Sequence, residues 1–222
     1  KTLMKKKVIL LGRGDLAIRI ANWFMNNEDF ELVNIVPVVP EPSWMDSLIE
    51  WSKKNKIPYI SSGNYIDIEN VSKSDWKIDL VFSCFYDKIV KQWFIDKCEK
   101  ILNLHHAPLP KYRGVLPINW ALKNKEKKHG VTIHEITQGI DDGPIISQIE
   151  YSIYENFDEA EDVYKRATEY AWTLFQQTIP ILDKINPIPQ DNSLSSYYSK
   201  EDSKHLGDRL SYNRKINKKS LD

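Results

Sequence analysis

The chain has only two cysteines in 222 residues, Cys84 and Cys98, and no C-x-x-C pair. That excludes a disulfide scaffold or a zinc ribbon, and both residues are expected to be buried free thiols, one in a strand and one in a helix. No apolar run approaches the roughly 18 residues of a membrane span, and no signal-peptide pattern precedes the first strand. Neither a membrane association nor secretion is expected, and the cytoplasm is the expected compartment. Charge of one sign is not in excess either, because 31 Lys and Arg balance 31 Asp and Glu. A general nucleic-acid binder carries a basic surplus, so no nucleic-acid partner is expected. His105, His106, His134, Asp141 and Asp142 fit no H-E-x-x-H or comparable ligand spacing, so no metal is expected.

What is present is globular: 41% hydrophobic and 28% charged residues, a composition able to build a core. Val8-Ile9-Leu10-Leu11 reads as a buried strand, Gly12-Arg13-Gly14 as a tight turn, and Leu16, Ile20, Trp23 and Phe24 as one face of a helix. A second strand is expected over residues 32–39. A helix follows from a Ser43 cap through Lys54, with Trp44, Leu48 and Trp51 on one face. Residues 80–85 read as a strand, 90–100 as a helix and 101–104 as a strand. This alternation predicts parallel β-α-β units, hence an α/β, Rossmann-like doubly wound, mostly parallel sheet.

Beyond residue 130 the rhythm changes. Residues 130–136 and 145–153 read as an antiparallel strand pair in the C-terminal part of the sheet. A long helix then runs from Asp158 or Glu159 to about Ile185, stopped by Pro187 and Pro189. Residues 1–189 are expected to form the catalytic domain. Residues 190–222, polar and basic over 214–219, form a short tail that packs on the core or at a dimer interface, with a homodimer as the candidate assembly.

Two features carry chemistry. Gly12-x-Gly14-x-x-Ala17 has the outline of a dinucleotide fingerprint, which would favour an NAD(P)-binding oxidoreductase. Asp15 sits where the pyrophosphate would bind, and Glu41 is the one acid near the end of strand 2 for a ribose, so a packing turn is the preferred reading. The second feature is Asn103-Leu104-His105. Alternation along a strand sends Asn103 and His105 to one face. The amide can hold an oxyanion, the imidazole can move a proton near neutral pH, and a carboxylate from the later Asp141-Asp142-Gly143 turn can orient it. That set suits acyl transfer. His134 alternates with Thr132 and borders the site or lies in the core.

Asn103-Leu104-His105, Leu109-Pro110-Lys111-Tyr112-Arg113-Gly114 and Asp141-Asp142-Gly143-Pro144-Ile145 resemble, in order and spacing, the three motifs of the folate-dependent formyltransferases. The resemblance covers roughly residues 80–150 at the level of motifs and the whole strand-helix rhythm from residue 7. It implies Asn103 as the oxyanion donor, His105 as the proton carrier and Asp141 as the group that orients it. It further implies 10-formyltetrahydrofolate as cosubstrate, with Phe82, Ser83, Tyr86, Lys88 and Ile89 lining its pocket alongside Asp141. Lys111, Arg113, Gly114, Tyr197 and Tyr198 are the implied acceptor-binding residues.

Among the branches, glycinamide ribonucleotide formyltransferases carry a Gly-Ser-Gly-Thr-Asn-type phosphate loop where this chain has Gly12-Arg13-Gly14-Asp15-Leu16. Methionyl-tRNA formyltransferases carry a basic C-terminal barrel absent from this sequence. The sugar N-formyltransferases resemble it most, which implies a nucleotide-linked amino sugar as acceptor, dTDP-linked by family resemblance, for surface polysaccharide synthesis. Glycinamide ribonucleotide formylation is the enzyme alternative. A folate- or nucleotide-binding module without turnover is the non-catalytic one.

Overall fold

The computed structural model describes residues 3–206, and the chain divides into two compact units, one up to Asn103 and one from Leu104 onward. Tyr212 and the basic run at 214–219 lie outside the described residues.

The first unit contains β1 (Lys6–Gly12), α1 (Gly14–Met25), β2 (Phe30–Pro37), α2 (Leu48–Asn55), β3 (Ile78–Cys84), α3 (Gln92–Ile95) and most of β4 (Cys98–His105). Its strand order is β2-β1-β3-β4, with β1 parallel to both β2 and β3. Val8 to Leu11 are buried without alternation, as a central parallel strand covered on both faces requires. Helix α1 turns Leu16, Ala17, Ile20, Ala21 and Phe24 inward at helical spacing. Gly12 has φ +154°, and a Cβ there would lie 2.1 Å from the Cys84 carbonyl oxygen. The Arg13 amide donates to that same oxygen at 3.2 Å. Close strand approach therefore accounts for the glycine.

Two expectations fail here. Helix α2 starts at Leu48 with Ser47 as its cap, not at Ser43. The turn at residue 43 closes on itself, with the Met45 amide donating to the Pro42 carbonyl, and the chain extends again before the helix. Ser47 Oγ accepts from the Glu50 amide at 3.0 Å. Glu41 accepts from Ser47 Oγ at 2.5 Å and from the Leu48 amide at 2.7 Å. The acid considered for a ribose is thus spent on the amides at the start of the helix. The helix expected over residues 90–100 is only the four residues of α3, and Cys98 opens strand β4 rather than sitting in a helix. The polar Lys97-Cys98-Glu99-Lys100 run looks like a solvated helix face. Pairing prevails, beginning with the Ile78 amide donating to the Lys97 carbonyl.

The second unit takes the end of β4 and adds β5 (Arg113–Gly114), α4 (Pro117–Lys123), β6 (Lys128–Glu135), β7 (Ile145–Ser152), α5 (Ala160–Thr178) and β8 (Tyr197–Tyr198). Strand order continues β4-β6-β7, with β6 and β7 antiparallel as expected. The α/β fold is therefore a mostly parallel sheet carrying an antiparallel strand pair. Helix α5 opens on a reciprocal Glu159–Asp162 capping box and buries Val163, Ala167, Ala171, Leu174 and Phe175. It ends at Thr178, short of Ile185, because Pro180 cannot continue the α-helical bonds; a 3-10 turn, Ile179–Lys184, follows.

Helix α4 and the small parallel pair β5–β8 were not anticipated. Residues 190–198 are built into this unit: β8 pairs with β5, and the Tyr198 ring stacks on Trp120 with centroids 4.0 Å apart and planes 11° off parallel. No helix among the described residues is long and apolar enough to cross a membrane.

Candidate active site

His105 ends β4, buried. Its Nε2 lies 2.8 Å from the Tyr112 carbonyl oxygen. A carbonyl only accepts, so Nε2 carries the hydrogen, which leaves Nδ1 as the nitrogen free to take a proton. That Nδ1 is 3.7 Å from Asp141 Oδ2. His134, at the bulge in β6, repeats the arrangement. Its Nδ1 is committed to the Glu135 carbonyl at 2.8 Å, and its Nε2 faces Asp141 Oδ1 at 3.5 Å. The Gly114 amide completes the ring, donating to Asp141 Oδ2 at 2.9 Å.

Burial alone pushes the Asp141 carboxyl up. The charge of His105, the hydrogen bond and charge of His134 and the Gly114 amide outweigh it and hold the group well below the usual carboxylate range. A fixed negative charge therefore stands between the His105 and His134 imidazoles. A carboxylate held against an imidazole orients the ring for proton transfer.

The chain reaches this geometry through local devices. Asp141 adopts φ +52°, and Gly143 follows where a Cβ would lie 1.8 Å from the Glu135 carbonyl oxygen, so the turn can fold back onto β6. The Pro-rich loop after β4 is anchored by Thr132 of β6. Its Oγ1 donates to the Ala107 carbonyl at 2.7 Å and accepts from the Leu109 amide at 3.2 Å. Gln148 of β7 donates to Thr132 Oγ1 and to the Leu109 carbonyl, both at 2.8 Å. The loop thereby delivers the Tyr112 carbonyl to His105.

Asn103 lies half-buried two residues before His105, the last residue of the first unit. In that unit Phe82 and Ser83 are buried on β3. Phe82 is wholly enclosed, so its side chain belongs to the core and is not free to line a pocket. The Tyr86 hydroxyl donates to the Gly63 carbonyl at 2.7 Å and accepts from the Tyr65 amide at 3.2 Å; burial holds its ionisation well above the usual tyrosine range. Lys88 pairs with Asp87 at 3.2 Å, and Ile89 is 66% exposed.

In the second unit Lys111 is exposed. The Arg113 guanidinium is engaged by Gln190 Oε1 at 3.1 and 2.8 Å and by Asn192 Oδ1 at 2.8 Å. Tyr198 is stacked on Trp120 and is paired through its hydroxyl with Asn124 at 3.0 Å, so it is a packing residue, whereas Tyr197 is 51% exposed. Sequence reasoning passed over Gln190, Thr132 and Gln148, for which a lone polar residue gives no local signal. Helix α4 had one, a proline at its first turn. No group of three or more His, Cys, Asp or Glu among the described residues is placed to hold a metal ion.

The family model for formyl transferases matches residues 7–179. The chain belongs to that family. Among curated proteins it is 36% identical over 165 residues to the bifunctional polymyxin resistance protein ArnA of Wigglesworthia glossinidia brevipalpis, covering 72% of this chain and 25% of that protein. It is 28% identical over 201 residues to a methionyl-tRNA formyltransferase of Campylobacter jejuni subsp. doylei, covering 86% and 65%. The chain thus spans less than two thirds of either relative.

Among solved structures, the N-formyltransferase from Helicobacter canadensis, in complex with folinic acid and dTDP-3-aminofucose, has a TM-score of 0.75 at 30% identity over 90% of this chain and 72% of that one. WlaRD, a sugar 3N-formyltransferase solved with dTDP and 5-N-formyl-THF, has a TM-score of 0.78 at 26% identity over 95% and 77%.

Proposed function

We propose that this chain is a sugar N-formyltransferase, moving the formyl group of 10-formyltetrahydrofolate to the amine of a nucleotide-linked amino sugar. The observation that carries the chemistry is the buried Asp141 carboxylate facing His105 Nδ1 at 3.7 Å, on the strand that holds Asn103 two residues earlier. The amine, neutral when it attacks, adds to the formyl carbon. The oxygen that becomes negative is held by the Asn103 amide, a contribution of about 3 kcal/mol for one such donor. His105 takes the amine proton at Nδ1, where Asp141 stabilises the imidazolium. Collapse breaks the bond from carbon to folate N10, and the proton passes to that nitrogen. The products are a formamide and tetrahydrofolate, so atoms and charge balance.

The acceptor class rests on likeness to the two sugar-formylating structures above. A dTDP sugar with a 3- or 4-amino group, made for surface polysaccharide in the cytoplasm by a homodimer, is the fuller form of the proposal. The segment from Phe82 to Ile89 remains the proposed folate segment, through its backbone rather than the Phe82 side chain. Lys111, Gly114 and Tyr197 are the proposed acceptor contacts, with Arg113 joining once the nucleotide competes for its fork. The Campylobacter relative favours a second reading, an aminoacyl-tRNA acceptor. The balanced charge of this chain speaks against it.

The test is a mass-spectrometric assay of 10-formyltetrahydrofolate with dTDP-3-amino and dTDP-4-amino sugars, UDP-amino sugars, GDP-perosamine, glycinamide ribonucleotide and methionyl-tRNA. A gain of about 28 Da on one nucleotide sugar is expected. Formylation of glycinamide ribonucleotide or of methionyl-tRNA alone overturns the acceptor assignment.

A further inference from the structure

Asp141 does the site's electrostatic work from a backbone conformation that few non-glycine residues hold, φ +52°. Something must keep it there. The Gln190 side chain reaches it from 49 residues away in sequence: Nε2 donates to the Asp141 carbonyl at 2.8 Å and to the Gly143 carbonyl at 2.7 Å. Both carbonyls belong to the acidic turn, so one amide group pins the turn on either side of Asp142. The other end of the same amide, Oε1, accepts from Arg113 Nε and Nη2, and Arg113 precedes the glycine whose amide binds the Asp141 carboxylate. Only a carboxamide has two donors for two carbonyls and an acceptor for a guanidinium.

Gln190 also sits in a strap that touches the base. The Ile145 amide donates to the Ile188 carbonyl at 2.7 Å and the Ile188 amide returns a bond to the Ile145 carbonyl at 2.9 Å, which fixes the strap just before Gln190. After it, Ser196 Oγ accepts from the Tyr112 amide at 2.8 Å. The Arg113 amide donates to the Ser196 carbonyl and the Val115 amide to the Tyr198 carbonyl, both at 2.9 Å. Tyr112 is the residue whose carbonyl holds His105 Nε2. The strap thus holds the acid through Gln190 and the base through Tyr112.

We propose that Gln190 is a positioning residue for the formyl-transfer reaction, locking the Asp141 turn so that the carboxylate faces His105 and His134. The inference rests on the formyl-transfer reading given above. Misplacement of such a group by about an ångström costs up to about 100-fold in rate. Gln190→Ala is therefore expected to lower kcat by about 10- to 100-fold while KM for both substrates stays within about threefold. Gln190→Glu keeps the partner for Arg113 but loses both donors and sets a carboxylate against two carbonyls, so it behaves like Gln190→Ala. In an Asp141→Asn background, Gln190→Ala adds little further loss, since both changes disable one device.

A second readout needs no turnover. Carbon NMR titration of the Asp141 carboxyl shows it ionised well below the usual range in the parent chain, and Gln190→Ala moves its midpoint upward as His105, His134 and the Gly114 amide fall away. A Gln190→Glu protein with parental kcat, losses that multiply fully with Asp141→Asn, or an unmoved Asp141 midpoint each overturn the proposal. If the parent chain formylates no acceptor, the functional reading falls, and the titration still decides whether Gln190 positions Asp141.

Discussion

Lowering the pH from about 7 to 5 should strip this protein of a large share of its stability, through two histidines that do no chemistry. His106 and His129 are buried in the second unit, at 4% and 0% exposure. Burial first, and the charge of His105 as well, depress both to about 3, although the bond from His129 Nε2 to the His106 carbonyl at 2.8 Å works the other way on His129. In the unfolded chain each ring titrates near the ordinary 6.5. Between about 6.5 and 3 the unfolded state therefore binds protons that the folded state refuses, and stability falls as pH falls. At pH 5 each ring costs about 2 kcal/mol, or about 4 together, with a slope of about 3 kcal/mol per pH unit. Typical domain stability is only about 5–15 kcal/mol.

Asp141 does not confound this window. Its depressed carboxyl contributes stability above the ordinary carboxylate range and loses it only below about pH 4. Urea midpoints measured from about pH 7 to 5 should show the slope. His129→Gln, which can still donate to the His106 carbonyl, should halve it. A flat profile, or an unchanged slope in the variant, would refute the claim that these rings stay neutral in the fold.

His105→Ala and Asn103→Ala should each lower turnover by at least about 100-fold in the formylation assay, as loss of a proton carrier or an oxyanion donor does; near-parental turnover in either sinks its assigned role. Gly114→Ala should lose most activity and destabilise the second unit by about 2 kcal/mol or more in urea unfolding. At Gly114 φ is +94° and a Cβ would sit 2.1 Å from the Tyr198 carbonyl oxygen, so β8 must leave β5. Glu41→Ala should cost about 1 kcal/mol by releasing the first amides of α2, without changing the KM for folate or acceptor; a selective rise in KM would return Glu41 to the ligand-binding residues.

The fold was legible where local pattern and global packing agree. Unbroken apolar runs became β1 and β3, and the helical spacing of α1 and α5 marked the buried faces. Short elements were not. Helix α4 spans seven residues and strands β5 and β8 two each, too few for any period to stand out. The β4 boundary was misplaced because pairing with a neighbouring strand overrode the polar look of residues 97–100.

In the candidate site, the Asn103–His105 alternation and the acidic glycine turn are local patterns a sequence displays, whereas the choice of Asp141 over Asp142 came from the family resemblance. The sequence by itself determined the chemical inventory of this protein and the order in which the chain presents it, since alternation along β4 and the need for glycine after Asp141 are local properties. Only the tertiary structure decided that His134 faces the carboxylate rather than serving the core alone. The same holds for Arg113 being tied to Gln190 and Tyr198 to Trp120, and for Gln190 holding the acidic turn. Hydrogen bonds spanning about 50 to 80 residues leave no period or composition behind them, because their partners meet only after the intervening strands and helix have packed.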